Sequence, residues 1–357
     1  MKAAMWYEKG DIRVLDVKEP EPGPGQVKIK VKWCGICGSD VHEYTDGPIS
    51  IPRDAPHPVT REKSPLILGH EFSGDVVAVG EGVTKFKIGD RVVVEPIVRC
   101  GKCKACLEGR YHNCINLGFH GISGGGGGFA EYTTFTEDFI HKLPDGITYE
   151  QGATIEPFSV GMHAVLKADF RVGGKALVLG AGPIGIGLIA CLKAAGAQQI
   201  VCMQRKSVKQ QYAREAGADI VLDPNECDIA EEIKKMTGGN GIEYIFDTTA
   251  APVGFEMALD SVMKAGTITI VSFWDQNVNF NLNRVMLTEV KIIGSICFND
   301  NFPTVMKMME DKRINVGSYV TKKIYLDDII EEGFDTLLGP DKKKNLKILV
   351  TPDLTLL

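Results

Sequence analysis

The sequence has no uninterrupted apolar stretch of the roughly 18 residues that a membrane-spanning helix needs. Its first residues, Met1-Lys-Ala-Ala-Met-Trp-Tyr-Glu-Lys-Gly-Asp11, lack the apolar core of a secretory signal. The expectation is therefore a cytoplasmic protein with no membrane role. Positive charge is not in excess either: 40 Lys and Arg stand against 46 Asp and Glu, a net charge of -6. That balance invites neither nucleic acid nor an anionic lipid surface. The basic run Lys342-Lys343-Lys344 lies between Asp341 and Asn345 and reads as a solvated loop. No internal repeat is visible. The one low-complexity segment, Gly124 to Gly128, reads as a flexible surface loop in preference to a place of close backbone approach. Without an export signal, ten cysteines in 357 residues do not suggest a disulfide framework. Reduced thiolates are then available to bind metal.

What is present is ordinary for a globular protein, with 44% apolar and 24% charged residues. The length suggests two domains. The first 150 residues read as strands and turns. Gln26 to Lys32 alternates, with Val27, Ile29 and Val31 on one face, as a half-buried strand does. Gly74 to Val79 and Arg91 to Val94 are further strand candidates, so this part is expected to be a distorted small β-barrel with long loops. Near Lys175 the rhythm changes to strand and helix in alternation, which means a parallel sheet covered on both faces. Strands are expected at Lys175–Leu179, Gln199–Gln204, Ile220–Leu222, Glu243–Asp247, Thr267–Phe273 and Lys291–Ile296. The helices between them are Ile184–Ala195, Ser207–Ala216, Asp228–Met236 and Val253–Met263. The tail, with an amphipathic helix over Asp327–Leu338 and a strand over Leu346–Thr351, rejoins the first domain. The fold class is α/β, with residues 1–155 and 297–357 in one domain and 156–296 in the other.

Cys100, Cys103, Cys106 and Cys114 are spaced C-x2-C-x2-C-x7-C, which suits a closed tetrahedral zinc site with a structural role. Gly101 and Gly109 help the chain wrap an ion, and Lys102, Lys104 and Arg110 offset the charge of four thiolates. A second constellation is Cys34-Gly-Ile-Cys37-Gly-Ser39-Asp-Val-His42 with Gly69-His70-Glu71 and Glu156-Pro157. A catalytic zinc takes about three protein ligands and keeps an open position. Cys37, His70 and a carboxylate supply that set, with Glu71 and Glu156 both candidates. Cys34, flanked by Trp33 and Ile36, reads as core. His57, His112, His120, His141 and His163 read as non-catalytic.

Val178-Leu-Gly180-Ala-Gly182-Pro183-Ile184-Gly185 is a G-x-G-x-x-G run between a strand and a helix, the context of a dinucleotide loop. Gly180 makes the turn, Gly182 admits the pyrophosphate and Gly185 packs helix on strand. Pro183 suits the first helical turn. NAD enzymes place an acid at the end of the next strand to hold the ribose hydroxyls. Here the chain reads Gln204-Arg205-Lys206, and Arg205 can grip a 2′-phosphate that an acid would repel. NADP(H) is therefore expected over NAD(H).

With these motifs assembled, the chain resembles the zinc-containing medium-chain alcohol dehydrogenases over its whole length. Cys37-Gly-Ser-Asp-Val-His-Glu-Tyr, Leu68-Gly-His-Glu-Phe-Ser-Gly and Gly118-Phe-His-Gly-Ile-Ser followed by five glycines resemble the 2,3-butanediol dehydrogenase (acetoin reductase) group, as does the insertion Asp46 to Ser64. The resemblance implies a GroES-like catalytic domain in two chain segments around a Rossmann domain. It supports Cys37, His70 and Glu156 as ligands of a catalytic zinc, with Glu71 adjacent or coordinating, and it matches the four clustered cysteines to a structural zinc. It places Ser39 and His42 in a proton relay and Lys347 near the cofactor, the last without a firm role. The implied activity is reversible hydride transfer between a nicotinamide and a small alcohol or ketone, in a homodimer or homotetramer. Two departures bear on this. Gln204-Arg205-Lys206 breaks the acidic pattern of NAD-using relatives. Cys297 stands where sorbitol dehydrogenases carry an arginine, which counts against a polyol substrate. The rival readings are a sorbitol or threonine dehydrogenase and a catalytically silent dinucleotide sensor. The intact set Cys37, Ser39, His42, His70 and Glu156 opposes the sensor.

Overall fold

The computed structural model describes residues 1–357. The chain divides into two compact units, one of residues 1–156, 302–306 and 320–357, the other of residues 157–301 and 307–319. The return to the first unit thus falls at 302 and 320, not at 297, with residues 307–319 packing in the second unit between the two.

The first unit is built around the strand Gln26–Gly35. Val27, Ile29 and Val31 are fully buried, as their alternation requires. The opposite face is not simply wet: Lys28 is buried too, with its ammonium 2.6 Å from Glu19. This strand pairs antiparallel with Glu71–Val79 and has two register shifts along the way. Such bulges bend a strand. Its first half also pairs with Tyr132–Thr136 and its end with Lys347–Thr351. The resulting seven-stranded sheet is completed by Arg91–Val94, Ile140–Lys142 and Val320–Tyr325. One consequence matters for function. Gly35 lies opposite Glu71 on one side and Leu349 on the other. Residues near 36, 71 and 347 are thereby brought to one place.

Two expectations are corrected here. Gly124 to Gly128 is not a free surface loop. A Cβ at Gly127 would lie 2.4 Å from the Leu68 carbonyl, and one at Gly128 would lie 2.7 Å from the Cys34 sulfur. The glycines let this loop press against the backbone that leads into His70, where Gly128 N–H donates to the Gly69 carbonyl at 2.7 Å. Asp327–Leu338 is helical but not one α-helix. A 3₁₀ turn at Leu326–Asp328 is followed by a π-helical turn at Ile329–Phe334 and an α turn at Asp335–Leu338. The wide turn carries Gly333, whose missing side chain admits Ile36 at 2.7 Å from the Cβ position.

The second unit holds six parallel strands in the order Ile220–Leu222, Gln199–Met203, Lys175–Leu179, Ile242–Asp247, Val262–Ile270, Lys291–Gly294. This is the 3-2-1-4-5-6 order of the dinucleotide-binding Rossmann fold. Leu177, Val201, Ile245 and Ile268 form its core. The fifth strand begins at Val262, five residues before the expected start, and the preceding helix ends at Ser261. A register shift opposite Ile242 and Tyr244, with Ala265 at φ 58°, absorbs the extra residues. No helix is long and apolar enough to cross a membrane.

His120 is wholly buried between Phe72 and Phe135, with Nε2 2.8 Å from Thr133 Oγ1. Burial pushes its pKa down to about 3. The unfolded chain takes up a proton near pH 6.5 that the folded chain refuses. The stability this histidine contributes is present above pH 6.5 and is lost as pH falls towards 3, by about 1.4 kcal/mol per pH unit. Denaturant titrations from pH 6.5 to 4.5 should show His120→Gln with a slope shallower by one proton. Identical slopes would remove His120 from the acid response.

Candidate metal centre and dinucleotide loop

The strand Gln26–Gly35 ends at the helix Gly38–Asp46, and Cys37 is its N-cap. The backbone N–H of Cys37 donates to Asp40 Oδ2 at 2.9 Å, so the acid at the third helical position fixes the start of the helix. His70 and Glu71 stand at the start of the paired strand. Ligand atoms of Cys37, His70 and Glu71 all lie within 4.8 Å of one another, with His70 and Glu71 buried. The carboxylate in this donor set is Glu71. Glu156, buried in the first turn of the helix Ile155–Lys167, stands outside it.

The electrostatics of the set favour a cation. Burial opposes charge on His70, yet the Asp40 carboxylate and Cys37 outweigh it and hold the imidazole pKa well above 6.5. His70 Nδ1 and Asp40 Oδ1 face each other at 3.5 Å, too far for a hydrogen bond, and both are buried without one. Burial first, then the charge of Glu71 against those of His70 and Lys347, raises Glu156 to about 8. A thiol, an imidazole and a carboxylate with surplus negative charge fit zinc. Ser39 Oγ lies 3.3 Å from His70 Nε2 and borders the set. His42 is exposed one turn further along the same helix. Glu43 pins the insertion to this helix, accepting from the N–H groups of Ile49 at 2.8 Å and Ile51 at 3.2 Å.

The structure adds Asp40 to the site and gives Lys347 an unexpected partner there. Asp40 could have been found from its place three residues after the cap. Lys347 is not free to face a cofactor. Its ammonium is buried and bonded to Glu71, a contact between residues 276 apart in sequence that no local pattern encodes.

The four cysteines converge as their spacing requires, each offering a sulfur within 4.8 Å of the others. Cys103 Sγ lies 3.5 Å from Cys106 Sγ and 3.9 Å from Cys114 Sγ. A tetrahedron with Zn–S bonds of about 2.3 Å has edges of about 3.8 Å, so the cluster fits zinc. Gly101 and Gly109 take positive φ at the two bends. Backbone hydrogen bonds at Cys106 and Ile115 lower the Cys103 pKa to about 6, while burial raises Cys106 to about 12. Zinc would bring all four to the thiolate.

In the second unit Gly180 turns with φ 95°, and the helix Pro183–Ala194 begins with Gly182 as N-cap. Open space lies where a Cβ of Gly182 would be, and a Cβ of Gly185 would strike the Gly180 carbonyl at 2.1 Å. The first-turn N–H groups, Ile184 among them, have no intrahelical acceptor and form an anion cradle. Gln204 directly follows the neighbouring strand, which ends at Met203, and its side-chain oxygen accepts from Ala181 N–H of the glycine loop at 2.9 Å. Arg205 and Lys206 follow, both exposed and neither in an ion pair.

This combination of a glycine-loop Rossmann unit with a sheet unit carrying two clustered donor sets defines a zinc-dependent oxidoreductase class. The chain matches the alcohol dehydrogenase GroES-like domain over residues 23–145 and the zinc-binding dehydrogenase family over residues 183–311. It belongs to the zinc-containing medium-chain alcohol dehydrogenases. It is 47% identical to (R,R)-butanediol dehydrogenase of Bacillus subtilis over 99% of this chain and 100% of that protein. Sorbitol dehydrogenase of the same organism is 34% identical over 99% and 98%. The crystal structure of 2R,3R-butanediol dehydrogenase from Bacillus subtilis superposes with a TM-score of 0.93, covering 99% of each chain.

Proposed function

We propose that the chain interconverts a small secondary alcohol and its ketone with NADP(H), and that the pair is 2,3-butanediol and acetoin. The observation that carries the chemistry is the donor set of Cys37, His70 and Glu71 with the Ser39 hydroxyl beside it. Full-length similarity to butanediol dehydrogenase supports the substrate.

Cys37 as thiolate, His70 through a ring nitrogen and Glu71 as carboxylate hold the catalytic zinc, three donors being the usual number. Cys100, Cys103, Cys106 and Cys114 hold the structural one. When bound, zinc supplies a Lewis acid for the substrate oxygen, and the nicotinamide takes or gives the hydride. Ser39 takes the proton of the substrate hydroxyl in oxidation while releasing its own, which would pass through the hydroxyls of the bound cofactor's ribose to His42, exposed on the same helix, and from there to solvent; reduction runs the same transfers backwards. Asp40 places a buried negative charge 3.5 Å from His70 Nδ1, on the cation-binding side of the electrostatic balance. Glu156, buried beside the donor set, is the second carboxylate that could reach the zinc.

Gln204 stands where an acid would repel a 2′-phosphate, and the exposed cations Arg205 and Lys206 beside it support a reading in which they bind one. Initial rates of acetoin reduction with NADPH and NADH in parallel, on zinc-replete protein, test the proposal. Faster turnover with NADPH is expected. Gln204→Glu with Arg205→Leu should shift the NADPH-to-NADH ratio of kcat/KM by about 10–100-fold towards NADH, the worth of one or two charge-assisted hydrogen bonds. An unmoved ratio would refute the cofactor reading. Turnover of sorbitol or threonine in preference to acetoin would refute the substrate.

A further inference from the structure

The donor set is joined through Glu71 to a buried ion pair. Lys347 is 1% exposed and Glu71 is 0% exposed. The Lys347 ammonium donates to Glu71 Oε1 at 2.7 Å, to Glu71 Oε2 and to the carbonyl of Ile36 at 3.0 Å. A buried charge pair is costly to desolvate and holds together only when its geometry and hydrogen bonds are good. Here the backbone makes room for it. A Cβ on Gly35 would lie 2.2 Å from Glu71 Oε2 and 3.1 Å from Lys347 Cδ, so any side chain at 35 would displace the pair.

The ends of this contact are informative. Ile36 precedes Cys37, and Glu71 follows His70. One ammonium therefore ties together the two chain segments that carry the donors. It comes from a third segment, the strand Lys347–Thr351, which the sheet places beside Gly35.

We propose that Lys347 is a positioning residue for the catalytic zinc. It braces the Ile36–Cys37 and His70–Glu71 segments and fixes the Glu71 carboxylate at the metal. The proposal rests on the assignment of Cys37, His70 and Glu71 as zinc ligands. Removing a partner that orients a metal ligand typically lowers metal affinity by about 10–100-fold.

The test is zinc release to a chelator from full-length protein, with the four-cysteine zinc as internal control. Cobalt substitution tells the two metals apart, because four thiolates and one thiolate give different absorption intensities. Lys347→Met keeps the aliphatic stem and removes the ammonium. It should release the catalytic metal about 10–100-fold faster and leave the four-cysteine metal at the wild-type rate. Lys347→Arg, which keeps the cation, should recover most of the loss. If Lys347→Met does not fold, Lys347→Gln, which keeps a neutral donor beside Glu71 and leaves every zinc ligand in place, is expected to show the same selective loosening. An unchanged release rate in the variant that folds, or equal loosening of both metals, overturns the proposal. A wild-type chain that holds zinc at the four cysteines alone would instead overturn the ligand assignment beneath it.

Discussion

Replacing Cys37 by serine is expected to lower turnover by at least about 10³-fold and to empty one of the two zinc sites. A metal ligand must be deprotonated, and a thiolate meets that condition near neutral pH where a serine hydroxyl does not. The remaining donors, His70 and Glu71, fall short of the three that a catalytic zinc takes. Losing the Lewis acid removes several kcal/mol of charge stabilisation, and each 1.4 kcal/mol or so is a factor of ten. Ser39→Ala makes the contrast. The hydroxyl borders the donor set but is not part of it. Turnover should fall by about 10²–10⁴-fold, the range for a lost proton-transfer group, with both zincs retained. Metal analysis beside steady-state rates decides the matter. A Cys37→Ser enzyme that keeps its activity would sink the metal assignment. A Ser39→Ala enzyme of unaltered kcat would sink the relay.

The second large effect is expected at the four-cysteine lobe. Cys103→Ser should unfold residues 100–114 locally and lower the stability of the first unit. This stretch has little else to hold it. Its only regular structure is a helix of four residues at Lys104–Leu107 and a 3₁₀ turn at Tyr111–Asn113. Leu107 and Ile115 are 75% and 80% exposed, so no apolar core closes the lobe. Structural zinc in small peptides contributes about 10–16 kcal/mol of apparent binding energy, comparable with the whole stability of a domain. The lobe is tied to the sheet by Tyr111, whose hydroxyl donates to the buried Glu95 at 2.6 Å. Fraying should therefore reach Tyr111 and spare the second unit. Hydrogen exchange with limited proteolysis reads this directly. Wild-type protection of residues 100–114 in Cys103→Ser would show that the lobe stands without its metal.

The features legible in the sequence are those set by neighbours along the chain. The glycine loop is one. Gly180, Gly182 and Gly185 each do what their spacing demands, because a strand-turn-helix fixes its own local geometry. The cysteine lobe is another, since four ligands within fifteen residues can close on an ion without help from the rest of the fold. The alternating strands and helices of the second unit carried enough apolar periodicity to give the parallel sheet. The strand over Val262–Ile270 was misplaced by several residues because a bulge and a left-handed Ala265 leave no trace in the apolar pattern.

Contacts between distant segments were decided by tertiary structure alone. The five glycines look like a loop of low complexity, yet they are small because Leu68 and Cys34 lie against them. Spacing does not show which carboxylate lies nearest Cys37, because that depends on the bent pairing of Gln26–Gly35 with Glu71–Val79, which sets the Glu71 carboxylate within 4.8 Å of the Cys37 and His70 ligand atoms. The resemblance sets Lys347 near the cofactor, and its contact with Glu71 emerges only when the sheet lays its strand beside Gly35. The kinds of ligand, the glycine loop and the two-part α/β plan are legible along the chain, because short-range sterics and periodicity encode them. Only the tertiary structure decided which buried charge meets which, because that depends on strand register across hundreds of residues and on a low-dielectric interior in which every charge must find its partner.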